Sequence, residues 1–379
     1  MDFGFSQEQE MLRVTARSFL EKECPSGFVR RMMEAPEGTT PELWAKLAEL
    51  GWLGLVYPEA YGGSGLGFVD LAVVMEEMGR VVMPGPYLST VLLGGLTLLE
   101  AGSEPQKKEW LPRIAGGGAR VSLALTEESG RWDAAGITLS ARARGAGFTL
   151  SGTKLFVPDA HTADALVVAA RTARSKDPTR GVSLFLIPRD ARGVSVTLLP
   201  TMDQARKLCE VTFRGVRVGA EALVGERDGG WAPLARVLDR ATVALAAEMC
   251  GGAQKVLEMS TEYAKVRVAF GKPIGAYQAV KHKCADMLVL VENAKSLAYY
   301  AAWAMDRDAL EAPLAASMAK AYASDAYRKV AGDGIQVHGG IGFTWEHDLH
   351  LYFKRAKGSE VAFGDATYHR ERVARLIDL

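Results

Sequence analysis

The hydrophobic pattern of this chain changes period twice, and that order restricts the folds open to it. Up to about residue 120 the apolar residues recur at helical spacing. Ser6 with Gln9 has the form of a capping box ahead of Met11, Leu12 and Phe19. Thr40 followed by Pro41 reads as an N-cap and first-turn pair leading into Leu43, Trp44 and Leu47. From 121 to about 225 the runs become short and β-rich: VSLAL, ITLSARA, FTLSG, ALVVAA, VSLFLI, VSVTLL and CEVTF. Glycine and proline punctuate them, a spacing that predicts a sandwich or barrel. The polar stretch at 171–181 predicts an exposed loop. From about 226 the helical step returns, and Leu234, Leu238, Ala241, Leu245, Met249, Gly252, Val256, Met259 and Tyr263 mark one long amphipathic helix. Gly251 and Gly252 weaken such a helix unless something packs closely there. Further helices are expected near 278–308 and 313–335. The expectation is an α+β multidomain fold: a helical domain over 1–120, a β-barrel or sandwich over 121–225 and a helical bundle over 226–379.

Composition excludes several function classes. Lys+Arg and Asp+Glu are both 45, so a formal net charge of zero offers no electrostatic footprint for nucleic acid. Residues 1–10 lack a basic and an apolar signal region, and no apolar run approaches the ~18 residues of a membrane span. The expectation is a cytoplasmic chain. Cys24, Cys209, Cys250 and Cys284 show no CxxC spacing and read as free thiols. His338, His347 and His350 lie near one another without HExxH spacing, so no metal site is expected. The run YGGSGLG at 61–67 lacks a βαβ context and reads as a loop rather than a dinucleotide fingerprint.

Five strings, in this order, resemble the acyl-CoA dehydrogenase family: PEAYGGSGLG (58–67), ALTEESGRWD (124–133), SGTKLFVPDAHTAD (151–164), EYAKVRVAFGKPIGAYQAVKHKCADM (262–287) and QVHGGIGFT (336–344). The resemblance implies FAD as cofactor, an acyl-CoA thioester as substrate and α,β-dehydrogenation as the reaction. In that chemistry a carboxylate takes the α-proton, the flavin accepts the hydride, and hydrogen bonds to the thioester carbonyl stabilise the enolate. It also implies an oligomer, because the family binds flavin across a subunit interface, and an electron-transfer flavoprotein as redox partner.

Residue by residue, the resemblance divides. The half that meets a neighbouring subunit's FAD matches as Arg267, Phe270, Gln278, Gln336, Gly339 and Gly340. Arginine suits a pyrophosphate, and paired glycines let the backbone approach it. On the chain's own side Leu125, Thr126 and Phe156 remain usable, but Trp132 replaces a serine and Pro158 replaces a threonine. Pro158 offers neither hydroxyl nor N–H. The family's two base positions fall at Phe363 and Ala241, with Thr242 beside the latter in place of an arginine. Asp365 is the fallback acid, with helix capping as its ordinary role. Glu248 lies seven residues from Ala241, about 10.5 Å along the helix, and reads as a structural carboxylate. The ending FGDATYHRERVA resembles base-less subunits of heteromeric bacterial enzymes. The leading expectation is therefore a subunit paired with a second acyl-CoA dehydrogenase-like chain in a tetramer. The alternatives are a homo-oligomer using Asp365, or a flavin oxidase or monooxygenase on the same fold.

Overall fold

Serine and threonine caps start the first helices where the spacing placed them. A computed structural model describes residues 4–379. Helix α1 spans Gln7–Glu23, with the Ser6–Gln9 box closed in both directions. It is followed by α2 (Ser26–Glu34) and α3 (Pro41–Glu49), the latter capped by the Thr40 hydroxyl on the Leu43 N–H. Then come α4 (Phe68–Arg80), a π-helical segment Leu88–Gly95, α5 (Leu96–Ala101) and α6 (Glu104–Ala115). Residues 61–67 form a loop.

Eight strands follow: β1 (Val121–Ala124), β2 (Ser140–Arg144), β3 (Gly147–Pro158), β4 (Ala165–Arg171), β5 (Val182–Pro188), β6 (Val194–Leu199), β7 (Leu208–Val218) and β8 (Leu223–Val224). They make one mixed sheet in the order β6-β7-β3-β2-β4-β5-β8, with β1 parallel to β4. Alternating residues of β3, β5 and β7 fill its core: Leu150, Phe185, Val211 and Phe213 are buried, and Phe148 meets Phe185 edge-on at 5.0 Å. The β3–β7 register slips between Lys154 and Val157. Phe156 sits in that irregularity with φ 55° and its ring turned half outward.

The remainder is α7 (Trp231–Val266), a small hairpin β9 (Val268–Ala269) and β10 (Lys272–Pro273), α8 (Gln278–Asp306), α9 (Ala312–His338), α10 (Leu349–Val361) and α11 (Ala366–Leu376). The chain divides into two compact units. One holds residues up to Arg31, Gly67–Met83 and Thr242–Leu379; the other holds Met32–Leu66 and Pro84–Ala241. In the first, α4 and α7 cross at backbone contact. A Cβ on Gly251 would lie 1.7 Å from the Glu76 carbonyl oxygen, and one on Gly79 would lie 1.9 Å from that of Glu248. A Cβ on Gly252 would lie 2.3 Å from the Tyr327 hydroxyl. The two glycines in α7 are thus fixed by neighbours, as their cost in a helix led one to expect.

No helix among the described residues is long and apolar enough to cross a membrane. The four cysteines are buried and unpaired, and no cluster of metal-ligating side chains occurs among the described residues.

Candidate functional site

In the unit that carries the sheet, β1 runs directly into Leu125 and Thr126, both buried. Two reciprocal bonds zip this string to β3: the Thr126 hydroxyl donates to the Leu155 carbonyl at 2.5 Å, and the Leu155 N–H donates to the Thr126 carbonyl at 2.8 Å. Beneath them Lys154 is fully buried, its ammonium donating to the Leu125 carbonyl at 2.8 Å and to Glu127 Oε1 at 2.6 Å. Glu127 also accepts the N–H groups of Thr138 and Leu139. Burial pushes Lys154 down to about 8 despite Glu127. Burial acts on Glu127 in the raising direction, but Lys154 and the neighbouring donors outweigh it and leave its pKa below the usual carboxylate value. Both groups are therefore charged at neutral pH, and each has further hydrogen-bond partners beside the other.

The same unit anchors Pro158. Ser122 donates to its carbonyl at 2.5 Å, and the next residue, Asp159, accepts the Ser89 hydroxyl at 2.6 Å. Asp159 is buried at φ 50°, and desolvation raises its pKa. The strings are rigidly held. The polar groups expected to face a flavin ring are missing: Pro158 has no donor, Trp132 has no hydroxyl and the Thr126 hydroxyl is committed to Leu155.

In the helical unit the six residues expected to meet a neighbouring subunit's FAD are all exposed. Arg267 lies just beyond the end of α7, not on the helix, where it opens the β9–β10 hairpin. The Ile274 N–H donates to its carbonyl at 2.8 Å, and among the described residues its guanidinium has no ion-pair partner. Phe270, at the hairpin tip, is 97% exposed with φ 51°. Gln278 begins α8 and Gln336 lies in the last turn of α9. Ala264, Cys284 and Val337, with Ile274 and Val280 against them, pack these three segments into one cluster. Gly339 ends α9 at φ 63° and ψ −138°, a conformation for which glycine is suited. Gly340 has neither a positive φ nor any atom within 4 Å of where its Cβ would sit. Nothing in this chain demands a glycine there. An exposed guanidinium without an ion-pair partner among the described residues is chemically suited to a diphosphate.

The base positions carry no acid. Ala241 and Phe363 are buried, and Phe363 adopts φ 60°. Asp365 is exposed and caps α11 through the Tyr368 N–H at 2.8 Å. Glu248 is buried against Arg355, with 2.6 Å between Oε1 and the guanidinium. Two residues that the sequence reading passed over hold the Phe363 turn. Lys320 is fully buried and donates to the carbonyls of Gly364 at 2.9 Å and Glu360 at 3.0 Å. Burial pushes Lys320 down to about 7. His369 Nε2–H donates to the Phe363 carbonyl at 3.0 Å, and burial and Lys320 push this imidazole down to about 3. A lysine alone among alanines in AASMAKAYAS is the signal that marks the first of them.

Comparison with known proteins agrees with these strings. The chain matches the acyl-CoA dehydrogenase N-terminal domain over residues 6–118, the middle domain over 122–216 and the C-terminal domain over 228–377. It belongs to the acyl-CoA dehydrogenase family. This is a family of oxidoreductases that bind FAD, and the helix–sheet–helix order is its fold. The acyl-CoA dehydrogenase IpdE2 of Mycobacterium tuberculosis is 34% identical over 356 residues, covering 93% of this chain and 92% of its own length. The caffeyl-CoA reductase–Etf complex subunit CarC of Acetobacterium woodii is 33% identical over 359 residues, covering 92% of this chain and 93% of its own. Among solved structures, a chain of the ChsE4–ChsE5 complex from Mycobacterium tuberculosis superposes with a TM-score of 0.89 at 30% identity, covering 100% of this chain and 99% of that one.

Proposed function

We propose that this chain is the base-lacking subunit of a heteromeric acyl-CoA dehydrogenase, lending half of a flavin site to a partner chain that holds the acid. The observation that carries this reading is one-sidedness. Arg267, Gln336, Gly339 and Gly340 are exposed, no atom lies within 4 Å of where a Cβ on either glycine would sit, and among the described residues the Arg267 guanidinium has no ion-pair partner. The residues for the chain's own flavin lack a hydroxyl at Trp132 and Pro158 and lack a carboxylate at Ala241 and Phe363. FAD, when bound, supplies the hydride acceptor. This chain's contribution is charge from Arg267 and close backbone approach at Gly339 and Gly340.

The surface around Arg267 fits a protein partner. Val266, Val268, Phe270 and Phe343 are exposed apolar side chains, from 56% to 97% accessible, near the hairpin and the end of α9. The two-chain ChsE4–ChsE5 complex is a precedent for mixed pairing among similar chains. By the same route, the Etf association in the name of CarC supports an electron-transfer flavoprotein as the redox partner. Four unpaired buried thiols suit a reducing, cytoplasmic setting.

The test is anaerobic titration with acyl-CoA thioesters. The purified chain alone is expected to show no bleaching of a flavin band, and the assembly isolated through a tag on this chain is expected to bleach. Bleaching by the lone chain sinks the proposal. If Asp365→Asn then abolishes that bleaching with FAD still bound, the homo-oligomeric alternative replaces it.

A further inference from the structure

The arginine and the glycine pair of the proposed partner-facing set lie on two different segments, so their geometry depends on what fixes those together. Arg267 follows α7, whereas Gln336, Gly339 and Gly340 close α9. Tyr263, one helical turn before Arg267, stacks on His338, the residue before Gly339. Their ring centroids are 4.4 Å apart and their planes 20° apart. His338 in turn meets His347, with centroids 4.7 Å apart. Hydrogen bonds set the orientation of both imidazoles. His338 Nδ1–H donates to the Gly334 carbonyl at 2.8 Å, and His347 Nδ1 accepts the Leu349 N–H at 3.2 Å. The far end of the loop is closed by Arg30 on α2. Its guanidinium donates to the Trp345 carbonyl at 2.6 Å and to Asp348 Oδ1 at 2.8 Å, and lies over the Trp345 ring at 5.8 Å.

We infer that His338 and Arg30 are positioning residues for the flavin contacts, setting where the glycine pair lies relative to Arg267. The inference rests on the reading that this face receives a partner's FAD. Two adjacent glycines with open space around them have wide conformational freedom, which a bare loop loses on binding. The ring stack fixes the loop where it leaves α9, and the arginine fork fixes it where it enters α10. The stack also ties α9 to the end of α7, which leads directly into Arg267. None of Tyr263, His338, His347 or Arg30 has to touch the ligand for this effect. A diphosphate site misplaced by a fraction of its bond length loses most of its bidentate contact.

The experiment uses the assembly isolated through a tag on this chain, with FAD as probe. FAD affinity is read by fluorescence after partial flavin removal, chain pairing by native mass spectrometry, and folding by thermal melting. His338→Leu and Arg30→Met are each expected to weaken FAD binding about tenfold or more, with chain pairing and melting retained. His338→Phe, which keeps the ring on Tyr263, is expected to restore most of the affinity. Arg267→Leu is the control for the underlying reading and is expected to lose flavin. If Arg267→Leu keeps its flavin, the reading falls and the inference with it. If Arg267→Leu loses flavin while His338→Leu and Arg30→Met bind as the wild type does, the inference alone is overturned. Loss of pairing together with flavin in both variants overturns it too, because a surface that only joins chains would behave that way.

Discussion

Phe156, Phe270 and Phe363 share a left-handed backbone, at φ 55°, 51° and 60°, which a bulky side chain adopts only under constraint. All three stand in strings that resemble the family's flavin and base segments. At Phe363 the constraint is visible: His369 and Lys320 hold the carbonyls on either side of the Phe363–Gly364 peptide junction. His369 gives this arrangement a pH signature. Its pKa falls from the ordinary 6.5 to about 3 on folding, so between those values the unfolded chain binds more protons. Stability then decreases as the pH falls below 6.5. Lowering the pH from 6.5 to 5 is expected to cost about 2 kcal/mol through this group alone. His369→Gln, which retains an N–H donor, removes that share, and urea unfolding of both proteins at the two pH values checks it. A steeper or equal acid slope in the variant would exclude the assignment. A second expectation concerns Lys154. Lys154→Met strands the buried Glu127 carboxylate and is expected to lose about 3–5 kcal/mol, measured as a lowered melting temperature. The family resemblance singled out Phe363 and Asp365 as the changed positions. It said nothing of Lys320 or of Arg355 as the partner of Glu248, because these contacts join residues 40 to 107 apart; His369 lies only six residues from Phe363, but the family strings gave it no role.

At the scale of elements, the helices and strands were legible wherever local chemistry decides them. Thr40 and Ser6 cap helices because their hydroxyls reach the first free N–H groups, and the alternation in β3 and β7 follows the pleat. The π-helical segment Leu88–Gly95 was not legible. There the Tyr57 hydroxyl donates to the Val91 carbonyl at 2.7 Å, and a Cβ on Gly95 would lie 1.7 Å from that hydroxyl. A widened turn fixed by a tyrosine from another segment leaves no local signal. The hairpin that carries Arg267 and Phe270 was hidden for a similar reason: it interrupts a string that continues helical on both sides. Two glycine substitutions separate crowding from propensity. Gly251→Ala places its methyl on the Glu76 carbonyl and is expected to destabilise by about 3 kcal/mol or more. Gly332→Ala, in α9 with no atom within 4 Å of the new carbon, is expected to stabilise by about 0.5–1 kcal/mol. Melting temperatures that moved in the same direction would contradict this account of the helix contacts.

Across the whole molecule, the proposed function rests on an asymmetry between the two sets of residues that the family resemblance singles out. A self-sufficient dehydrogenase needs both halves in every chain, and a chain that only lends contacts needs one. One set is surface: Arg267, Gln336 and Gly340 are exposed, and no atom of the chain lies within 4 Å of where a Cβ on Gly340 would sit. At the expected base positions, Ala241 and Phe363 are buried hydrophobic residues where a carboxylate would need charge compensation. The measurement that tests this most directly is the flavin-to-chain ratio of the assembly purified through this chain. One flavin for each pair of chains, held together with a second, different acyl-CoA dehydrogenase chain, is the predicted result. One flavin per copy of this chain in a homo-oligomer, reduced by an acyl-CoA, would contradict it.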